Sequence, residues 1–105
     1  MARQHIYDLI ASVQARPSMY VRSKSLLELE VMLYGYVACL SANDIGEDYD
    51  GRTFHPHDFA AWLYEACGWS GSSGFAHAIN EHTEDVDQAF DEFFRLAARF
   101  RSTTA

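Results

Sequence analysis

From Val86 to Phe100 the chain reads VDQAFDEFFRLAARF, and its apolar side chains recur at helical intervals. Val86, Phe90, Phe93, Phe94, Ala97 and Phe100 fall at i, i+4, i+7, i+8, i+11 and i+14, a stripe that an α-helix lays along one side. Thr83 stands before it as a cap, and Glu84, Asp85 and Asp87 load the first turns with negative charge. Arg95, Arg99 and Arg101 load the far end, so both signs complement the helix dipole. A helix this one-sided must bury its stripe against other elements, and alternating strand patterns are nearly absent elsewhere. Its partners are therefore helices.

Ile6, Leu9, Ile10 and Val13 give a first amphipathic helix, stopped by Pro17, which disfavours helical geometry at Arg16. Met19, Tyr20 and Val21 then read as a short extended connector pinned to the core by its apolar groups. Ser25 and Glu28 have the spacing of a capping box. The run that follows, LLELEVMLYGYVACLSAND, is apolar on almost every face after its first turn, the pattern of a buried central helix. Gly35 within it weakens helix propensity by about 1 kcal/mol, which the close approach of a neighbouring helix explains. His55 or Thr53 caps a third helix with Pro56 in its first turn, and Phe54 and Phe59 are spaced for a hydrophobic staple. Phe59, Trp62, Leu63, Ala66 and Cys67 form its inward face. Gly68 and WSGSSG turn the chain into a short helix with Phe75, Ala78, Ile79 and His82 on one side. The expectation is one helical domain over 1–105, a compact all-α bundle of four to five helices.

With 105 residues, 49% of them apolar, the chain can bury a core. Fifteen acidic against eight basic side chains leave a net charge of −7. That balance disfavours nucleic acid, whose backbone needs a Lys/Arg-rich face, and favours basic partners. The start, MARQHIYDLI, lacks the features of a secretory signal, and no run is long enough to span a bilayer. A cytoplasmic protein is expected. Cys39 in VACL and Cys67 in YEACGW have no metal-ligand spacing and read as buried free thiols.

Each candidate for chemistry lacks a necessary part. Aligned on Gly51, the loop Asn43 to Arg52 places Asp48 and Asp50 as calcium ligands but puts Gly46 and His57 where two others belong. His55, His57 and Asp58 in HPHD resemble the opening of the metallo-β-lactamase signature without its further His and Asp. His77 and His82 are five apart, not the i, i+4 pair that grips zinc on a helix. GWSGSSG has Ser72 where a nucleophile elbow needs glycine, and no strand precedes it. The stripe Phe90, Phe93, Phe94 and Phe100 reads as core. Tyr49 and Trp69, large aromatics in loops, are candidate contacts, since such anchors dominate interfaces.

RPSMYVRSKSLLELE, Arg16 to Glu30, resembles the RPGMYIG segment of type II topoisomerase ATPase subunits. The catalytic Glu and magnesium-binding Asn that should follow are missing from VMLYGYVACL. A second resemblance covers most of the chain. RPxMY, a Ser-Leu helix start, LYGY, FAAWLYEACGW and a terminal AFxxFF helix are together similar to a family of small uncharacterised bacterial proteins. Such short acidic proteins resemble the immunity partners of polymorphic toxins, and the resemblance implies no catalytic residues. The reading is a non-enzymatic protein-binding domain without cofactor or metal, an immunity-type inhibitor of a basic toxin or enzyme. Asp44, Glu47, Asp48, Tyr49, Asp50 and Trp69 would meet the partner. The alternative is a helical enzyme or ligand-binding protein with His55, His57, Asp58, His77 and Trp62 around a pocket. RPSMY itself reads as a structural corner.

Overall fold

The computed structural model describes residues 6–43, 54–69 and 74–103. Five helices follow one another: α1 (Ile6–Ala15), α2 (Leu26–Ala42), α3 (Pro56–Cys67), α4 (Phe75–Glu81) and α5 (Val86–Thr103). Among the described residues there is no strand, and the fold is an all-α bundle.

α5 organises the core. It packs against α2, α3 and α4 and buries Ala89, Phe90, Phe93, Phe94, Leu96, Ala97 and Phe100. All seven phenylalanines of the chain are buried, so the aromatic stripe is core. Val86 departs from the expected stripe and is 52% exposed. It lies a full turn before Phe90, where the helix has not yet reached the core, and walls an open groove instead.

The cap of α5 also differs from expectation. Thr83 points back, its hydroxyl donating to the Ile79 carbonyl at 2.9 Å, and so finishes α4. Asp85 caps α5: its Oδ1 accepts the Gln88 amide at 2.8 Å while its carbonyl accepts Ala89 N–H at 3.0 Å. Replacing Asp85 by alanine is expected to cost about 1 kcal/mol in urea unfolding, the usual worth of such a cap.

α3 begins with the proline and the staple its sequence implies, but without the expected cap from His55; Thr53 lies outside the described residues. His55 makes no side-chain cap bond, Pro56 occupies the first turn, and Phe54 packs on Phe59 with ring centroids 5.3 Å apart. At the other end Gly68 adopts φ +68°, a left-handed stop that glycine takes without strain. Its amide and that of Trp69 both reach the Tyr64 carbonyl.

The link from α1 to α2 is two 3-10 turns, Pro17–Met19 and Arg22–Lys24, rather than an extended connector. The amides of Tyr20 and Val21 both bond to the Pro17 carbonyl, at 3.0 and 2.9 Å. That tight turn swings Met19 and Tyr20 outward and leaves Val21 alone as the buried pin. Ser25 caps α2 by accepting Glu28 N–H at 3.3 Å. The Glu28 carboxylate does not complete the box at Ser25, whose amide already donates to the Arg22 carbonyl at 2.9 Å. It bonds the Arg22 amide at 3.0 Å and pairs with the Arg22 guanidinium at 3.4 Å.

α2 is not the buried centre its composition suggested. Only Leu26, Leu29 and Leu33 are buried, at i, i+3 and i+7, with Met32, Tyr36 and Val37 half-buried beside them. α3, α4 and α5 contact α2 on that side, so Leu27 and Val31 face out, while Tyr34 stands at the edge with its ring stacked on Phe75. A Cβ on Gly35 would meet nothing within 4 Å, so among the described residues no helix approaches it closely. Cys39, expected to be buried, is exposed on the same helix, and Cys67 is partly covered.

One carboxylate ties α2 to α4. Glu30 Oε2 accepts the Ala76 amide at 3.1 Å, capping α4 from another helix, because Gly74 in the cap position has no side chain to do so. Tyr34 and Tyr64 flank this carboxylate. Burial first, and the nearby Glu30 charge second, raise both phenols above their ordinary pKa.

Candidate protein-docking site

The corner between α4 and α5 is built almost entirely from its own hydrogen bonds. His82 ends α4, its amide bonded to the Ile79 carbonyl, and the Thr83 hydroxyl covers the same carbonyl. Glu84 N–H donates to Gln88 Oε1 at 2.7 Å, and Asp85 returns the bond by capping Gln88. The backbone here is fixed, and what it displays is negative: Glu81, Glu84, Asp85, Asp87 and Asp91 are all exposed. Glu81 pairs with His77 Nε2 at 2.8 Å. Glu84, Asp87 and Asp91 make no ion pair among the described residues.

Between this corner and the start of α2 lies an open groove of about 420 Å³. Ser23, Ser25, Leu26 and Leu27 form one side, and Asn80 with Thr83–Val86 forms the other. Buried Leu26 lies at its base, while Leu27 and Val86 remain 54% and 52% exposed. Ser23 and the adjoining Lys24 hold left-handed backbone angles, φ 51° and 52°, a conformation that costs non-glycine residues about 1 kcal/mol each. The groove thus sets exposed aliphatic Leu27 and Val86 beside the carboxylates of Glu84 and Asp85.

On the chain just before the corner, Trp69 stacks on His82 with centroids 4.1 Å apart and planes 8° from parallel. His82 Nδ1 lies 2.8 Å from the Ala78 carbonyl, which can only accept, so the proton sits on Nδ1. Trp69 is therefore half-buried against the bundle with one ring face covered. His82, expected on the inward face of α4, is exposed at its end.

Of the other residues singled out from the sequence, Asp44, Glu47, Asp48, Tyr49 and Asp50 lie outside the described residues. His55, His57, Asp58 and His77 are exposed on α3, its cap and α4. Trp62 packs between Phe59 and Phe100, with Arg99 5.5 Å above its ring. Among the described residues, no three His, Cys, Asp or Glu side chains group as metal ligands, and no helix is long and apolar enough to cross a membrane.

Leu27, Val86 and the acids of the corner were each legible only in a structural role. The acids suit the dipole of α5, Val86 continues its stripe, and Leu27 belongs to an apolar run. The usable signal was phase: Leu27 and Val31 lie opposite Leu26, Leu29 and Leu33, so α2 carries two apolar stripes and the bundle covers one. No family model, curated protein or solved structure matches this chain.

Proposed function

We propose that this chain is a non-enzymatic protein-binding domain, an immunity-type inhibitor whose partner is a bacterial toxin or enzyme with a basic surface. The partner docks at the acidic corner, seating an apolar side chain between Leu27 and Val86 and setting Lys or Arg against Glu84 and Asp87. The observation that carries this reading is the groove itself, lined by half-exposed Leu27 and Val86 together with Glu84 and Asp85, with exposed Asp87 next along α5. The net charge of −7 supports it by steering a cationic partner during encounter.

The test is coexpression with the toxin-like product of an adjacent gene, followed by purified binding at two salt concentrations. A complex is expected whose association rate falls at least about tenfold between roughly 50 and 300 mM salt. Glu84→Lys combined with Asp87→Lys should reproduce that loss at low salt, and Leu27→Asp should speed dissociation. Asp85 stays unchanged because it caps α5. Absence of a complex at low salt, with no rescue from toxicity, defeats the proposal. So does a complex indifferent to both salt and these substitutions.

A further inference from the structure

The outer face of α2 is apolar and has no partner within the described chain. From Val31 to Ala42 the helix carries no charged residue. Val31, Gly35, Ala38, Cys39 and Ala42, at i, i+4, i+7, i+8 and i+11, are all exposed, and Tyr34 borders this stripe with its ring stacked on Phe75. Val31 is 72% exposed, the highest value among the large apolar side chains of the described residues. The other four helices all show charge or imidazole on their exposed faces, at Asp8, His57, Glu65, Glu81 and Asp91 among others.

We propose that a second copy of this chain covers this face, the two α2 helices crossing on a two-fold axis near Gly35. A two-fold interface sets one patch against itself, so any charge in it is buried twice, against whatever the same patch offers. With a net charge of −7, two copies can meet closely only where no carboxylate lies, and this stripe is such a place. A basic partner gains nothing from it, because it offers no anion. Gly35 has open space where its Cβ would stand, so its cost to the helix has no return inside one chain. At a crossing point it lets two backbones approach closely, and in an antiparallel pair Val31 then lies opposite Cys39 of the second copy. The stripe buries on the order of 500 Å² per copy, near the lower bound for a specific interface, so the dimer is weak and concentration-dependent. It does not depend on docking at the acidic corner.

Sedimentation under reducing conditions, from about 5 to 500 µM, tests this by mass action. The average mass should climb from monomer toward dimer, while alkylation of Cys39 slows with concentration relative to Cys67. Val31→Asp, at an exposed position that leaves the fold intact, should weaken association at least about tenfold by burying an unpaired carboxylate opposite Cys39 of the second copy. Gly35→Ala should raise the melting temperature of the dilute monomer and still weaken the dimer several-fold. Glu84→Lys with Asp87→Lys should leave dimerisation in place, which separates this result from that of the docking site. A monomer throughout the range, or a dimer that neither Val31→Asp nor Gly35→Ala weakens, overturns the inference.

Discussion

Replacing Phe59 by alanine is expected to remove about 4 kcal/mol of folding free energy, at the upper end for a single core deletion. A domain of this size has about 5–15 kcal/mol in total, so this one deletion should remove a large fraction of it. Phe59 is fully buried and has ring neighbours on every side. Its centroid lies 5.2 Å from Phe75, 5.3 Å from Phe54, 5.5 Å from Phe100, 5.6 Å from Phe93 and 6.0 Å from Trp62. Those neighbours come from α4, α5, α3 itself and the residue before its cap, so the cavity opens where three helices meet. Interdigitated rings cannot close it without leaving their rotamers. Phe59→Leu, which leaves less empty volume, should cost about half as much. Phe94 lies nearer the edge, 6% exposed and packed mainly on Phe90 and Phe93, so Phe94→Ala should cost less than Phe59→Ala. Urea unfolding followed by near-ultraviolet dichroism measures the series. A loss below about 1.5 kcal/mol for Phe59→Ala would show that the rings repack around the gap, contrary to this account.

The same residue shows which parts of the fold the sequence discloses. Phe54 and Phe59 are five apart around Pro56, and that local spacing alone announces the staple. The buried stripe from Phe90 to Phe100 and the opposite charges at its ends are equally local, and both are present in α5. What failed depended on the number of neighbours. An apolar residue states that it can be buried, and whether it is depends on how many helices surround it. α2 has seventeen residues and apolar groups on two sides, but the bundle covers one. The cap of α5 was legible and misread: Asp85 followed by Gln88 has capping-box spacing just as Ser25 with Glu28 does. Thr83 was a plausible rival until the end of α4 claimed its hydroxyl. The docking groove was not legible, since Leu27 and Val86 are far apart in sequence and each had a structural explanation. Nor was Glu30, whose hydrogen bond spans 46 residues.

That long-range bond sets the second large effect: Gly74→Ala is expected to cost about 2–4 kcal/mol, in two separable parts. Gly74 holds φ +94° and ψ 164°, a region open essentially to glycine, which accounts for about 1–2 kcal/mol of strain. The added Cβ would also stand 2.6 Å from Glu30 Oε2 and 3.3 Å from its carboxyl carbon. The carboxylate must then leave the Ala76 amide, which starts α4 beside fully buried Phe75, and an uncapped amide costs about 1–2 kcal/mol. Glu30→Ala alone should lose that second part. In the Glu30→Ala background, Gly74→Ala should cost only the strain, a coupling of about 1 kcal/mol in a double-mutant cycle. Equal cost in both backgrounds would mean that backbone strain is the whole effect and the carboxylate simply moves aside. The tyrosines give an independent readout. Tyr34 and Tyr64 bind their protons more tightly folded than unfolded, so their contribution is fully present below the unfolded value of 10.0. It is lost as pH rises through the raised folded values. Glu30→Ala removes the charge that opposes phenolate formation and should lower both phenol titrations, while burial keeps them above the free value.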